Sequence, residues 1–148
     1  MQTATNEARD VRLLLDTSAA IALLVAEHEF HAAVVSAVGD RPVGLAGHAW
    51  FETFSVLTRL PTPKRRSPTQ ALQLLQANFP SSIFLDAASA ADLGPELASH
   101  GIAGGRVWDA LVAAAARSAG VPLLTADARA RPTYHALGIK LELVPEPQ

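Results

Sequence analysis

The 148-residue chain contains no cysteine, which excludes disulfides and every thiolate-held zinc or iron–sulfur centre and fits a reducing compartment. Any metal it holds must be bound by oxygen or imidazole. It also lacks an excess of either charge. With a formal net charge of −2, the chain as a whole is no basic nucleic-acid surface, and phosphate contacts must come from local patches. Long apolar runs are missing as well: nothing approaches the ~18 residues that a membrane-spanning helix needs, and the polar, mixed-charge stretch Met1 to Arg12 has no apolar signal-peptide core. The expectation is a cytoplasmic protein with no membrane partner.

The chain has no internal repeat, no low-complexity tract beyond alanine enrichment and no linker long enough to divide it. Residues 1–11 read as a short polar N-terminal extension and 12–148 as a single domain. A chain of this length buries roughly 68–70% of its unfolded surface and needs no staple to fold.

Short apolar runs alternate with helical patterns. Arg12 to Asp16 reads as a strand, followed by a helix over Ala19 to Ala26 with Thr17 or Ser18 as its cap. Phe30 to Val38 is a second helix, Val43 to Ala46 a strand, and His48 to Leu60 a helix ended by Pro61 and Pro63. Ser67-Pro68 starts a fourth helix, Ser82 to Asp86 is a β-rich run, and Ser89 to His100 is a helix that Pro95 kinks or splits. Arg106 to Ala119 follows Gly104-Gly105. Then come a strand over Val121 to Thr125, a helix near Arg131-Pro132, and a last strand over Ile139 to Val144. This alternation predicts an α/β fold, a three-layer α/β/α sandwich with a mostly parallel central sheet of four to five strands.

The helix from Arg106 is so rich in alanine, valine and leucine that most of its surface should be buried, yet it carries Asp109. A buried charge is costly unless something pairs with it. In open α/β sheets ligands bind beyond the carboxyl ends of the strands. Asp16 follows the first strand and Asp127 the strand ending at Thr125, while Asp109 and Glu52 lie near the starts of helices that begin at the same edge. Four acids from four elements thus converge. Crowded carboxylates repel and raise one another's pKa unless a cation intervenes. All-oxygen ligation favours Mg²⁺ or Mn²⁺, and such ions serve metal-dependent hydrolysis of phosphodiesters.

The run Leu-Leu-Asp16-Thr-Ser-Ala-Ala-Ile-Ala-Leu-Leu, Glu52 in an early helix, and Trp-Asp109-Ala-Leu-Val-Ala-Ala-Ala-Ala through Pro-Leu-Leu-Thr125-Ala-Asp127 together resemble the PIN-domain ribonucleases, specifically the VapC-type toxins of type II toxin–antitoxin systems. The resemblance spans about residues 12 to 144. It implies that Asp16, Glu52, Asp109 and Asp127 are both the catalytic residues and the ligands of one or two Mg²⁺ or Mn²⁺ ions, and that Thr17, Ser18 and Thr125 are supporting hydroxyls. It further implies an endoribonuclease acting on single-stranded or loop RNA, a homodimer, and a cognate VapB-type antitoxin whose basic side chain enters the acidic groove. The sequence departs from the family in its N-terminal extension and in Ala130, where a bulky residue is common.

Several residues carry two readings. Each acid also suits a plain local role: Asp16 or Asp127 as a helix cap, Asp109 as a first-turn acid paired with Arg106, Glu52 as a partner of His48 or Arg59. Arg106 either clamps a phosphate or bridges to Asp109. The turn holding Arg65 and Arg66 is either a solvated loop or an RNA-phosphate contact. Trp50, Phe51 and Phe54 read as core or dimer interface, and His28 and His31 are assigned no role. The competing function is a PIN-like protein that binds RNA or a partner without cutting. A small-molecule phosphatase is disfavoured because position 18 is Ser where an Asp-x-Asp pair would need a second acid.

Overall fold

The computed structural model describes residues 13–147, so the N-terminal extension expected at 1–11 lies outside the described residues. Four strands form one all-parallel sheet: β1 (Leu13–Leu15), β2 (Val43–Leu45), β3 (Leu123–Thr125) and β4 (Leu141–Leu143), in the order β2-β1-β3-β4. The helices are α1 (Thr17–Leu24), α2 (His31–Val38), α3 (His48–Leu57), α4 (Pro68–Asn78), α5 (Ala87–Ser99), α6 (Arg106–Ala119) and α7 (Arg131–Ala136), with a 3₁₀ turn over Ala128–Ala130 before α7.

Side chains alternate across the sheet. Leu14 and Leu123 enter a core shared with α5, α6 and α7, whereas Leu13, Leu15 and Leu124 enter a second core built with α1, α2 and α4. β1 and β3, the two central strands, are therefore covered on both faces, which is why they read as leucine runs instead of an alternating pattern, whereas the edge strand β4, Leu-Glu-Leu, is only partly buried. The three-layer α/β/α architecture and parallel sheet agree with the sequence expectation.

The fifth strand does not form. Ser82 to Asp86 contributes a single parallel bridge, between Ala46 and Ile83. Leu45 N–H donates to the Ser82 Oγ at 3.0 Å, so a side chain takes the donor that a strand backbone would have bonded. Gly44 is required for this approach: a Cβ there would lie 2.3 Å from the Ser81 carbonyl oxygen. Pro95 also departs from expectation, since α5 continues through it without a break. The ends of the remaining elements shift by a few residues.

Two details aim the functional edge. Gly47, at φ 51°, turns the chain from β2 into α3, and a Cβ on it would sit 3.1 Å from the Ala115 Cβ. In α6, Ala110, Ala113, Ala114, Ala115 and Ala116 are all buried. Small side chains let this helix lie close to its neighbours, so its N-terminal turn is held firmly at the edge where the strands end.

Candidate active site

Asp16 ends β1 and is buried, 4% exposed. It is the N-cap of α1, the local role the sequence also allowed it, in place of Thr17 or Ser18. Its Oδ1 accepts from the Ala19 N–H at 3.0 Å and the Ser18 hydroxyl at 2.6 Å, and its Oδ2 accepts from the Tyr134 hydroxyl at 2.8 Å. The cap role and a site role thus coexist in one side chain. A carboxylate has about four lone-pair positions, and these three donors leave room on Oδ2. Burial raises the Asp16 pKa against the opposing pull of these hydrogen bonds, led by that from Ser18.

The three hydroxyls tie the strand ends together. Ser18 Oγ accepts from the Ala126 N–H at 2.9 Å and lies 3.3 Å from Thr125 Oγ1, which in turn accepts from the Asp127 N–H at 3.0 Å. Thr17 Oγ1 donates to Glu52 Oε2 at 3.0 Å, and His48 Nε2 lies 3.1 Å from Glu52 Oε1. Glu52 pairs with His48, one of the two local partners the sequence offered. Asp127 caps the 3₁₀ turn: its Oδ1 accepts from the Arg129 backbone N–H at 3.0 Å and from Arg129 Nε at 3.1 Å.

Asp109, in the first turn of α6, joins these acids electrostatically. Its pKa is pushed up to about 6, first by burial and then by the negative charges of Asp16, Glu52 and Asp127, with Arg106 pulling the other way. Each of the other three acids is therefore near enough to be felt. Arg106 acts only through its field, because its Nε donates to Thr133 Oγ1 at 2.9 Å and makes no bridge to Asp109. Arg65 and Arg66 are not brought to the acids: they donate to the Leu60 and Lys64 carbonyls, and Lys64 lies 3.7 Å from Glu27, at the end of α3 away from His48. His28 and His31 serve local packing, His28 accepting from the Phe30 N–H and His31 bonding the Ala22 carbonyl.

The donor set suits a hard divalent ion. Among the described residues no three acidic or imidazole groups enclose a point in space unaided, but Mg²⁺ retains several waters and takes only one or two carboxylates directly. Asp16 and Asp109 could supply such a pair, with Glu52 and Asp127 available to hold water around it. A divalent charge would also remove the repulsion that raises the Asp109 pKa. Arranged around a phosphodiester, the group could position a water and offset the charge that develops on the leaving oxygen.

Tyr134 escaped the sequence reading. It is the only tyrosine of the chain, it is 1% exposed, and it reaches Asp16 across 118 positions of sequence. A buried tyrosine hydroxyl needs a partner, so a lone tyrosine in register with the buried face of α7 was the available signal.

Comparison with known proteins identifies the family. The family model described as PIN domain matches residues 13–135. The chain is 46% identical over 127 residues to Ribonuclease VapC27 of Mycobacterium tuberculosis, covering 86% of this chain and 93% of that protein. It is likewise 46% identical over 131 residues to Ribonuclease VapC40 of Mycobacterium tuberculosis, covering 87% and 96% respectively.

Proposed function

The chain belongs to the PIN-domain family, and from that membership we propose that it is a VapC-type endoribonuclease toxin that hydrolyses RNA phosphodiesters with Mg²⁺ or Mn²⁺ at Asp16, Glu52, Asp109 and Asp127. One observation carries the assignment of the site: Asp109 stands half-buried in the combined field of the other three acids, with its pKa near 6. An arrangement that raises a carboxylate in this way is costly for a merely structural cluster and useful for one that receives a cation.

When bound, the ion supplies Lewis-acid stabilisation of the phosphoryl oxygens and a more acidic water. The chain's own residues do the rest. Asp16 is immobilised by Ser18, Ala19 and Tyr134, so its free lone pair points one way. Glu52, held by Thr17 and His48, and Asp127, held by its own turn, accept hydrogen bonds from waters at the rim and keep them oriented. The Ser18–Thr125 pair fixes the distance between the ends of β1 and β3, and hence between Asp16 and Asp127. Arg106 offers positive charge beside Asp109 where an entering phosphate would otherwise meet only acids.

The partners follow from the same reading. The substrate is RNA in single-stranded or loop form, because only unpaired strands can bend into an edge cluster of this kind. The cognate VapB-type antitoxin places a basic side chain among the acids and occupies the substrate's position. A homodimer is supported by the exposed aromatic face of α3, where Phe51 is 56% exposed and lies 5.9 Å, centroid to centroid, from the 52%-exposed Phe84.

Incubating RNA with wild-type protein and with Asp109→Asn tests the activity. Cleavage by the wild type in Mn²⁺, its loss in chelator, and a fall of at least about 100-fold in the variant are expected, since charge that stabilises the transition state is being removed. Full activity in chelator, or equal activity in both proteins, contradicts the reading. Intact RNA that remains bound would favour the non-cutting alternative.

A further inference from the structure

We propose that Trp108, stacked on His48, is a seat for a nucleobase next to the scissile phosphate. The inference rests on the ribonuclease reading and adds to it the part of the substrate that this site grips. His48 is the first residue of α3 and Trp108 the third of α6. The ring centroids lie 5.0 Å apart with the planes 20° from parallel, a stacked pair. Trp108 is nevertheless 49% exposed, so one face is fixed against the imidazole while much of the indole meets solvent.

Position distinguishes this tryptophan from an ordinary exposed apolar residue. Asp109 follows it directly in the chain. The imidazole that supports it lies 3.1 Å from Glu52 Oε1, and Thr17 holds the other oxygen of Glu52 at 3.0 Å. The platform is therefore tied to Glu52 through His48 and to Asp109 by direct succession in the chain. A base lying on the indole would place its own phosphate beside the cluster.

Charge explains why such a seat is needed. The chain is net negative and its site gathers four carboxylates, so backbone phosphates gain little from the general field. Arg65 and Arg66 are bonded within their own turn at the far end of α3. Beyond the ion and Arg106 at the scissile phosphate, binding has to draw on contacts that do not depend on charge. Every base has a π-face, and unpaired RNA presents it.

Two measurements test this. The shortest single-stranded RNA that the wild type cuts is compared with copies carrying one abasic nucleotide beside the cleaved bond, using wild type, Trp108→Ala and Trp108→Phe. One abasic position should lower wild-type kcat/KM by about 5- to 100-fold. Trp108→Ala should suffer a similar loss on intact RNA, through KM, and little further loss on the abasic copy, because both changes remove one contact. Trp108→Phe should recover most of the activity. Losses that multiply, or an unchanged Trp108→Ala, overturn the proposal.

Trp108 emission is read separately, without added metal, in Trp50→Phe, where Trp108 is the remaining tryptophan. Oligoadenylate should quench it, and a ribose-phosphate oligomer without bases should not. No quenching by oligoadenylate, or a change that tracks dilution of the protein and not RNA, overturns the proposal. Quenching by a protein that cuts no RNA would sustain the base seat while contradicting the ribonuclease reading, so the two failures are separable.

Discussion

Asp16 and Tyr134 form a buried contact at the proposed site, an O–H donor and a carboxylate both withdrawn from water. Hydrogen bonds to charged groups contribute about 1.5–3 kcal/mol, and a buried acceptor stripped of its donor bears a desolvation cost. Tyr134→Phe should therefore lower thermal stability by several degrees. If the hydroxyl also aims the carboxylate, kcat should fall more than KM rises, a split that loss of packing alone would not produce. At this scale the sequence was partly legible. Asp109 declared itself because a carboxylate in an alanine-rich helix has to be accounted for. Tyr134 did not, because its partner is distant in sequence and only the sheet brings the two together. Arg106 was legible as a neighbour of Asp109 but not as a partner of Thr133, which lies on another helix.

Elements were easier to read than their ends. Leucine runs separated by helical periodicity identify strands covered on both faces, and Gly120, at φ 69°, ends α6 where the sequence pattern does. The Ser82 to Asp86 segment misled because β propensity says nothing of competing donors and acceptors: Ser82 bonds Leu45 with its side chain, and pairing stops at one bridge. The close approach of this segment to β2 makes Gly44 indispensable. Gly44→Ala should cost about 2–3 kcal/mol, since the new methyl meets rigid backbone and not a side chain that can turn away. Urea denaturation should register it as a lowered midpoint with an unchanged slope. The alanines of α6 were legible in composition, but their consequence, a helix start held rigidly beside β1 and β3, required the packing.

For the whole molecule, the parallel sheet and the edge that gathers the acids followed from alternation and strand ends; Phe51 was legible as core or dimer interface, but its exposed pairing with Phe84 was not. Phe51 and Phe84 are far apart in sequence and meet only because the segment after α4 runs beside β2. As the proposed dimer face, they make a clear forecast: Phe51→Glu should shift sedimentation from dimer to monomer while the monomer stays folded, because Phe51 is exposed within the single chain, and the melting temperature should lose its dependence on protein concentration. A dimer that persists places the interface elsewhere.

The acids also give the molecule a pH signature. Asp109 titrates near 6 in the native chain and near its ordinary value of 3.8 when unfolded, so the native state holds more protons between those values and loses stability as pH rises through them. Because Asp109 is only partly buried, solvent screening reduces this cost to about 1 kcal/mol. Thermal unfolding at pH 7 of wild type and Asp109→Asn, each with and without Mn²⁺, tests the shared site most directly. Without metal the variant should melt about 2–4 °C higher, and Mn²⁺ should raise the wild type well above its own metal-free value while scarcely moving the variant. A variant that melts lower without metal, or equal Mn²⁺ stabilisation of both proteins, would contradict the convergence of the four acids on one cation.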